Sequence, residues 1–191
     1  MTDGSSSFAG KLLIAMPNLA DPNFWRSVVL LGVHSGDEGA FGLIVNRRLD
    51  VDMREILSEL GEETVADALP GVFAGGPVQP SHGFVLFERG EIAANSEDIV
   101  ISEDIVLSGS IETLTRLTRL SARSRYFLLL GYAGWHPGQL EREIEENSWV
   151  IAPLEPSLLF DVPVEERWSE ALKSIGIEPG TLVDAGSTEP S

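Results

Sequence analysis

The sequence predicts an α+β fold in a single domain, with a mixed or antiparallel sheet rather than a doubly wound parallel one. Three observations lead there. Strand-like apolar runs cluster toward both ends of the chain, with two or three helical patterns between and after them, so the order is not a βαβαβ repeat. At 191 residues the chain can bury one full core and is short for two. No linker and no internal repeat interrupts residues 9–176, which leaves 1–8 as a small, polar, flexible start and 177–191 as a tail without apolar periodicity.

In chain order, "KLLIAMP" (11–17) is a short apolar run stopped by proline, a buried strand. "SVVLLGVH" (27–34) and "FGLIVN" (41–46) are nearly continuous apolar runs joined by "SGDEGA", whose residues favour turns, so they form a hairpin covered on both faces. "DMREILSELG" (52–61) places Met53, Ile56, Leu57 and Leu60 at helical spacing, with Gly61 as its stop. "GVFAGGPV" and "HGFVLFE" give two more strands around a Gly-Gly-Pro break. Residues 92–109 mix Ile and Val with acids, as an exposed edge does.

"SIETLTRLTRLSAR" is a helix whose Ser110 and Thr113 make an imperfect capping box. Ile111, Leu114, Leu117 and Leu120 form its apolar stripe. "RYFLLLGYAG" is the last strong strand, "PGQLEREIEEN" a short helix with Pro137 near its first turn, and "VEERWSEALKSIG" a helix ending at Gly176.

Composition restricts function. The net charge of −17, from 30 acids against 13 bases, repels phosphate polymers and anionic membranes. With no cysteine there is no disulfide, thiol nucleophile or iron–sulfur cluster. The start lacks the basic residues of a signal peptide, and no stretch approaches the roughly 18 apolar residues of a membrane span. A cytoplasmic protein without a membrane segment is the expectation.

Catalytic signatures fail in turn: there is no G-x-S-x-G, Walker, G-x-G-x-x-G or H-E-x-x-H motif. Gly36, Gly39 and Gly42 fit a hairpin turn better than a phosphate cradle. His34, His82 and His136 lie far apart and read as hydrogen-bonded histidines rather than metal ligands. Arg116, Arg119 and Arg123, with Arg125 beyond, form a solvated basic stripe.

Three places carry more. Asn46 puts an amide at the tip of a core strand, able to serve a ligand or to make an Asx turn. Gly75, Gly76 and Pro77 follow a strand directly, where backbone or ligand could approach, or a tight corner form. In "GYAGWHPGQLEREIEENSW", Gly131 and Gly134 flank Tyr132, and Pro137 precedes helical N–H groups that could receive an anion. Gln139 and Glu143 share one helix face, Leu140 and Ile144 turn to the core, and Trp135 and Trp149 fit as core anchors. Glu141, Glu145 and Glu146 form a solvated face.

Taken together, "GKLLIAMPNLADPNFWRSVVLLGVHS…GAFGLIVNRRL", "FAGGPV" and "LGYAGWHPGQLEREIEENSW" resemble the AlgH/YqgE family of bacterial proteins, from about Gly10 to Gly176. The resemblance implies a barrel-like, bifurcated sheet surrounded by helices, and a cytosolic bacterial protein. It implies no activity, although family members carry a transcriptional-regulator label connected with alginate production. One departure stands out: Phe87 occupies the place where the family pattern has a histidine after "FVL".

Three functional readings follow. In the first, the chain is a regulatory module for a small ligand or a protein partner, without cofactor or metal. Its pocket draws on Asn46, Gly75, Gly76, Pro77, Gly131, Gly134, Trp135, Gln139 and Glu143. In the second, it is a hydrolase-type enzyme with Glu143 as base and Asn46 or Gln139 orienting the substrate. The third, a regulator binding DNA directly, is opposed by the net charge.

Overall fold

The computed structural model describes residues 7–64, 66–90, 92–120 and 124–183. Residues 1–6 of the expected flexible start, Arg123 of the basic stripe and residues 184–191 of the expected tail lie outside the described residues. The chain forms nine strands and six α-helices within them: β1 (Leu12–Ala15), β2 (Val28–Ser35), β3 (Gly39–Ile44), α1 (Met53–Glu59), β4 (Val72–Ala74), β5 (Val78–Glu88), β6 (Ile99–Val100), β7 (Ile105–Ser108), α2 (Ile111–Arg119), β8 (Tyr126–Trp135), α3 (Gln139–Glu145), β9 (Trp149–Ala152), α4 (Pro156–Phe160), α5 (Arg167–Ser174) and α6 (Pro179–Val183). A 3-10 turn over Pro22–Phe24 precedes β2, and another over Val164–Glu166 runs into α5.

The strands are ordered β6-β7-β5-β8-β3-β2-β1-β9, all antiparallel along this path, with β4 paired parallel to β8 beside it. The sheet forks at β8. One edge of β8 pairs with β5. The other edge pairs with β4 at Leu128 to Leu130, then with β3 at Ala133 to Trp135. The bifurcation implied by the family resemblance is thus present, but barrel closure is not: β6 and β9 stand at opposite ends of the order without pairing. A two-residue end strand such as β6 offers too short a ladder to close on.

The fork is made by glycines. Gly131, the residue at which β8 changes partners, has φ +75°, a left-handed conformation that side chains resist. A Cβ there would strike the Gly76 carbonyl, and one on Gly75 would strike the Gly131 carbonyl. Gly75 is the seam itself: its N–H donates to Leu130 O (2.7 Å), and its carbonyl accepts from Ile44 N (2.7 Å). Opposite the seam, β5 loops out between Val78 and Gly83 before its regular register with β8 resumes.

Three cores pack around this sheet. Because β1 to β3 are covered on both faces, successive residues go to different cores: Leu12 and Ile14 join α4 and α5 through Leu159, Trp168 and Leu172. Leu13 and Ala15 join Trp135, Leu140 and Trp149. The far half of the sheet packs Val85 and Phe87 against Met53 and Leu57 of α1 and Leu114 and Leu117 of α2. Phe87 is fully buried there, so the departure at this position supplies packing rather than chemistry. Ser110 caps α2 by accepting from Thr113 N (3.4 Å).

Three expectations need correction. Ile111 of the α2 stripe is exposed, because the helix begins there, beyond the edge of its core. Helix α3 starts at Gln139 rather than near Pro137, because Gly138 takes φ +73° at the cap. Packed chain continues past Gly176: Ile177 and Leu182 rest on the core, and α6 forms within the expected tail.

The seam gives a sharp contrast within one motif. Gly131→Ala combines a left-handed backbone with a backbone clash and should cost at least about 3 kcal/mol in urea unfolding. Gly134→Ala, whose Cβ would meet nothing nearer than a Tyr132 ring atom at 3.7 Å, should change stability by less than about 1 kcal/mol.

Candidate functional site

Of the residues singled out in the sequence, Trp135, Gln139 and Glu143 converge on one another, together with Trp149. Glu143 of α3 accepts through Oε2 from both indoles, Trp135 Nε1 (2.9 Å) and Trp149 Nε1 (2.8 Å), and through Oε1 from Gln139 Nε2 (2.8 Å). Gln139 in turn accepts from His136 N (3.0 Å). The i, i+4 spacing of Gln139 and Glu143 makes this possible, and Leu140 beside them is buried in the same core as the two tryptophans. The two tryptophans pack edge to face at 5.9 Å, with Phe24 against both. The carboxylate is a clasp joining β8, α3 and β9.

Gly75, Gly76, Pro77 and Gly131 belong to the fork, and Gly134 sits exposed on β8. Asn46 is separate from Glu143. Its Oδ1 accepts from Val28 N (2.8 Å) and its Nδ2 donates to Arg26 O (2.8 Å), so it bridges the entrance of β2. Arg26, whose carbonyl takes the second of these bonds, has φ +49°, a left-handed conformation in a residue with a full side chain. Arg47, next to Asn46, donates to Asn23 O and to Trp25 O (3.2 Å), fixing the same turn. Its burial holds its pKa below the ordinary arginine value.

This turn forms one wall of a cleft of about 440 Å³, lined by Trp25, Arg26, Asn46 and Arg47 on one side and by Glu165, Trp168 and Ser169 on the other, with Pro179 and Gly180 of α6. The Arg26 guanidinium lies 4.7 Å from the Trp25 ring and 5.1 Å from the Trp168 ring. Trp168 is anchored by its own bond to Ala15 O (2.9 Å). Beneath it Arg167 is buried, donating to Val45 O and to Val162 O (3.2 Å) and lying over Phe73 and Phe127; burial presses its pKa down to about 10, still cationic at neutral pH. Of the residues nominated from the sequence, only Asn46 lines this cleft. Trp25, Arg26 and Trp168 were missed. The adjacent Trp-Arg after a Pro-Asn turn was their only local signal, because the bond to the Arg26 carbonyl comes from Asn46, a distant residue just past β3.

Elsewhere several ionisable residues are engaged. His34 is buried, accepting at Nδ1 from Phe8 N (3.1 Å) and meeting Glu141 Oε1 at 2.9 Å, so Glu141 belongs to a buried contact rather than to a solvated face. Arg125 forks onto Glu88 (2.8 and 2.7 Å) and reaches Asp161 (2.7 Å), and Arg119 approaches Glu62 at 3.7 Å. This pairing holds the Glu88 carboxyl below its ordinary range. Among the described residues no three His, Asp or Glu are placed to hold a metal ion, and no helix is long and apolar enough to cross a membrane. A second groove of about 460 Å³, between α1, α2 and the sheet, is chiefly aliphatic, with Leu60, Ile111 and Leu114 in its walls.

A single-domain α+β protein with a forked sheet and a clasped tryptophan pair is the class these features define. The chain belongs to the AlgH-like family, whose model matches residues 12–180. It is 42% identical over 181 residues to a UPF0301 protein of Magnetococcus marinus, covering 94% of this chain and 95% of that one. It is also 42% identical over 188 residues to a UPF0301 protein of Paracoccus denitrificans, covering 96% and 98%. The solution structure of the AlgH protein from Pseudomonas aeruginosa superposes with a TM-score of 0.74 at 33% identity, covering 100% of this chain and 99% of that one. A crystal structure of a Corynebacterium diphtheriae protein shares the fold, with a TM-score of 0.69 at 24% identity over 94% and 91% of the two chains.

Removing the clasp should be costly. Glu143→Ala strands two indole N–H groups and the Gln139 amide, and should lower unfolding free energy by about 2–4 kcal/mol. Gln139→Ala, which leaves both indoles bonded, should cost only about 1 kcal/mol in the same urea titration.

Proposed function

We propose that the protein is a ligand-binding module without chemistry of its own, and that its ligand is a small anion received by Arg26. One observation carries this reading. Arg26 is stacked beside two indoles at the mouth of a cleft, yet no carboxylate or carbonyl of the described residues accepts from its guanidinium. Indoles against its faces leave the N–H edge free for an in-plane acceptor. Holding a non-glycine residue in a left-handed conformation costs on the order of 1–3 kcal/mol, and such strain gathers at functional sites.

Magnitudes favour local attraction over the acidic background. An anion about 4 Å from a surface guanidinium gains roughly 4 kcal/mol at an effective dielectric near 20, before desolvation. Charges beyond about 8 Å are largely screened at physiological salt. The lining holds two arginines against one glutamate, in a chain of net charge −17. A small anion gains from that contrast, whereas a nucleic-acid backbone would meet the rest of the acidic surface. Any regulatory role would then run through cleft occupancy and not through direct DNA contact, in keeping with a cytoplasmic protein.

The hydrolase reading loses support because three donors already occupy Glu143, which has about four acceptor positions, and Asn46 is committed to β2. Saturating inorganic phosphate or ribose 5-phosphate should raise the melting midpoint of the wild type and leave Arg26→Gln unmoved, a ligand at about 100 times its Kd adding near 2.7 kcal/mol. Equal stabilisation of both proteins would count against the receptor. Asn46→Ala, which releases Arg26 and leaves Val28 N–H without its acceptor, should lose about 1–3 kcal/mol of stability and weaken the same anion response.

A further inference from the structure

We infer that the ligand of this cleft is a nucleoside monophosphate, its phosphate on the edge of Arg26 and its base against Trp25; the inference rests on the anion-receptor reading above. A guanidinium edge presents parallel N–H groups that match two oxygens of one phosphoryl group. Charge does not select among small anions, but the rest of the lining does.

Trp25 is 41% exposed, unusual for a tryptophan in a packed domain. An indole left half open beside an anion receptor is a stacking face, and every nucleobase has a ring to lay on it. Glu165 and Ser169 line the opposite wall. A carboxylate there repels a bare anion or a second phosphoryl group, and is matched by a ligand that brings hydroxyl donors. Ribose does so, and acidic residues accept from ribose hydroxyls in dinucleotide-binding folds.

Size and charge then set the limit. A cleft of about 440 Å³ falls within the roughly 300–1,000 Å³ of small-molecule sites. Of its two arginines, Arg47 is already directed through both Nη atoms at Asn23 O and Trp25 O, whereas among the described residues the guanidinium of Arg26 has no acceptor. One free guanidinium balances one phosphoryl group. Further phosphates meet Glu165 and the acidic surface with only the carbonyl-bonded Arg47 as a second cation, so the monophosphate is preferred to the triphosphate.

Isothermal titration calorimetry at about 0.15 M salt, with AMP, adenosine, ribose 5-phosphate and ATP as probes, tests this. AMP should bind at least roughly tenfold more tightly than adenosine or ribose 5-phosphate, and more tightly than ATP. Trp25→Ala should bring AMP down to the ribose 5-phosphate level without changing the latter, while Trp25→Phe keeps most of the preference. Arg26→Gln should abolish binding of both phosphates, and Glu165→Gln should narrow the gap between AMP and ATP. Circular dichroism and melting of each variant establish that it is folded. If ribose 5-phosphate binds the wild type as well as AMP does, the nucleotide assignment is overturned and the anion receptor stands. If no phosphate binds the folded wild type, or adenosine binds as tightly as AMP, both fall.

Discussion

Backbone lies against backbone at Gly75, Gly76 and Gly131, and the sheet can divide there because no side chain stands between the strands. β8 serves β4 and then β3 along one edge, and the change of partner takes place where Gly131 turns left-handed beneath the Gly76 carbonyl. From this seam the rest is placed in sequence. The Gly75 carbonyl fixes Ile44, the end of β3, and Ala74 N donates to Arg47 O (2.8 Å) just beyond it. Asn46 and Arg47 are therefore delivered at a defined position, from which they hold the turn that carries Trp25 and Arg26. A glycine pair just after β4 and a cation at a distant cleft are linked by a short series of hydrogen bonds.

The turn between β1 and β2 serves two parts of the molecule at once. Phe24 points into the core shared by Trp135 and Trp149, which Glu143 clasps from α3. The next two residues, Trp25 and Arg26, face the cleft. Packing on one side and recognition on the other are thus divided between neighbouring residues. The buried Arg167, bonded to Val45 O, completes the arrangement by seating α5 so that Trp168 reaches Arg26. A buried cation is an expensive way to place a helix, which fits a requirement for geometry more than for stability.

Much of the fold was legible because it rests on local pattern. Apolar runs gave β1 as a short buried strand and β2 and β3 as strands covered on both faces, and spacing gave α1, α2, α3 and α5. Barrel closure was an expectation carried by family resemblance, and strand order rather than composition decides it. The site was legible only in part. Gln139 and Glu143 were paired correctly by helical spacing, but nothing in the sequence told that two indoles would saturate the carboxylate. Asn46 was recognised as an amide at a strand tip, yet its effect is exerted on Arg26, twenty residues earlier, through a backbone carbonyl. Long-range hydrogen bonds of this kind leave no periodicity to read, which is why Trp25, Arg26 and Trp168 went unnoticed.

Four tryptophans report separately on the two halves of this account, because Trp135 and Trp149 belong to the clasp and Trp25 and Trp168 to the cleft. The most direct measurement is a phosphate titration followed through the four indole N–H resonances by nitrogen–proton NMR, with assignments from single Trp→Phe variants. The account predicts that Trp25 and Trp168 shift in a saturable way while Trp135 and Trp149 stay in place. Saturable shifts of Trp135 and Trp149 with the other two unmoved would put the ligand at the clasp and contradict it.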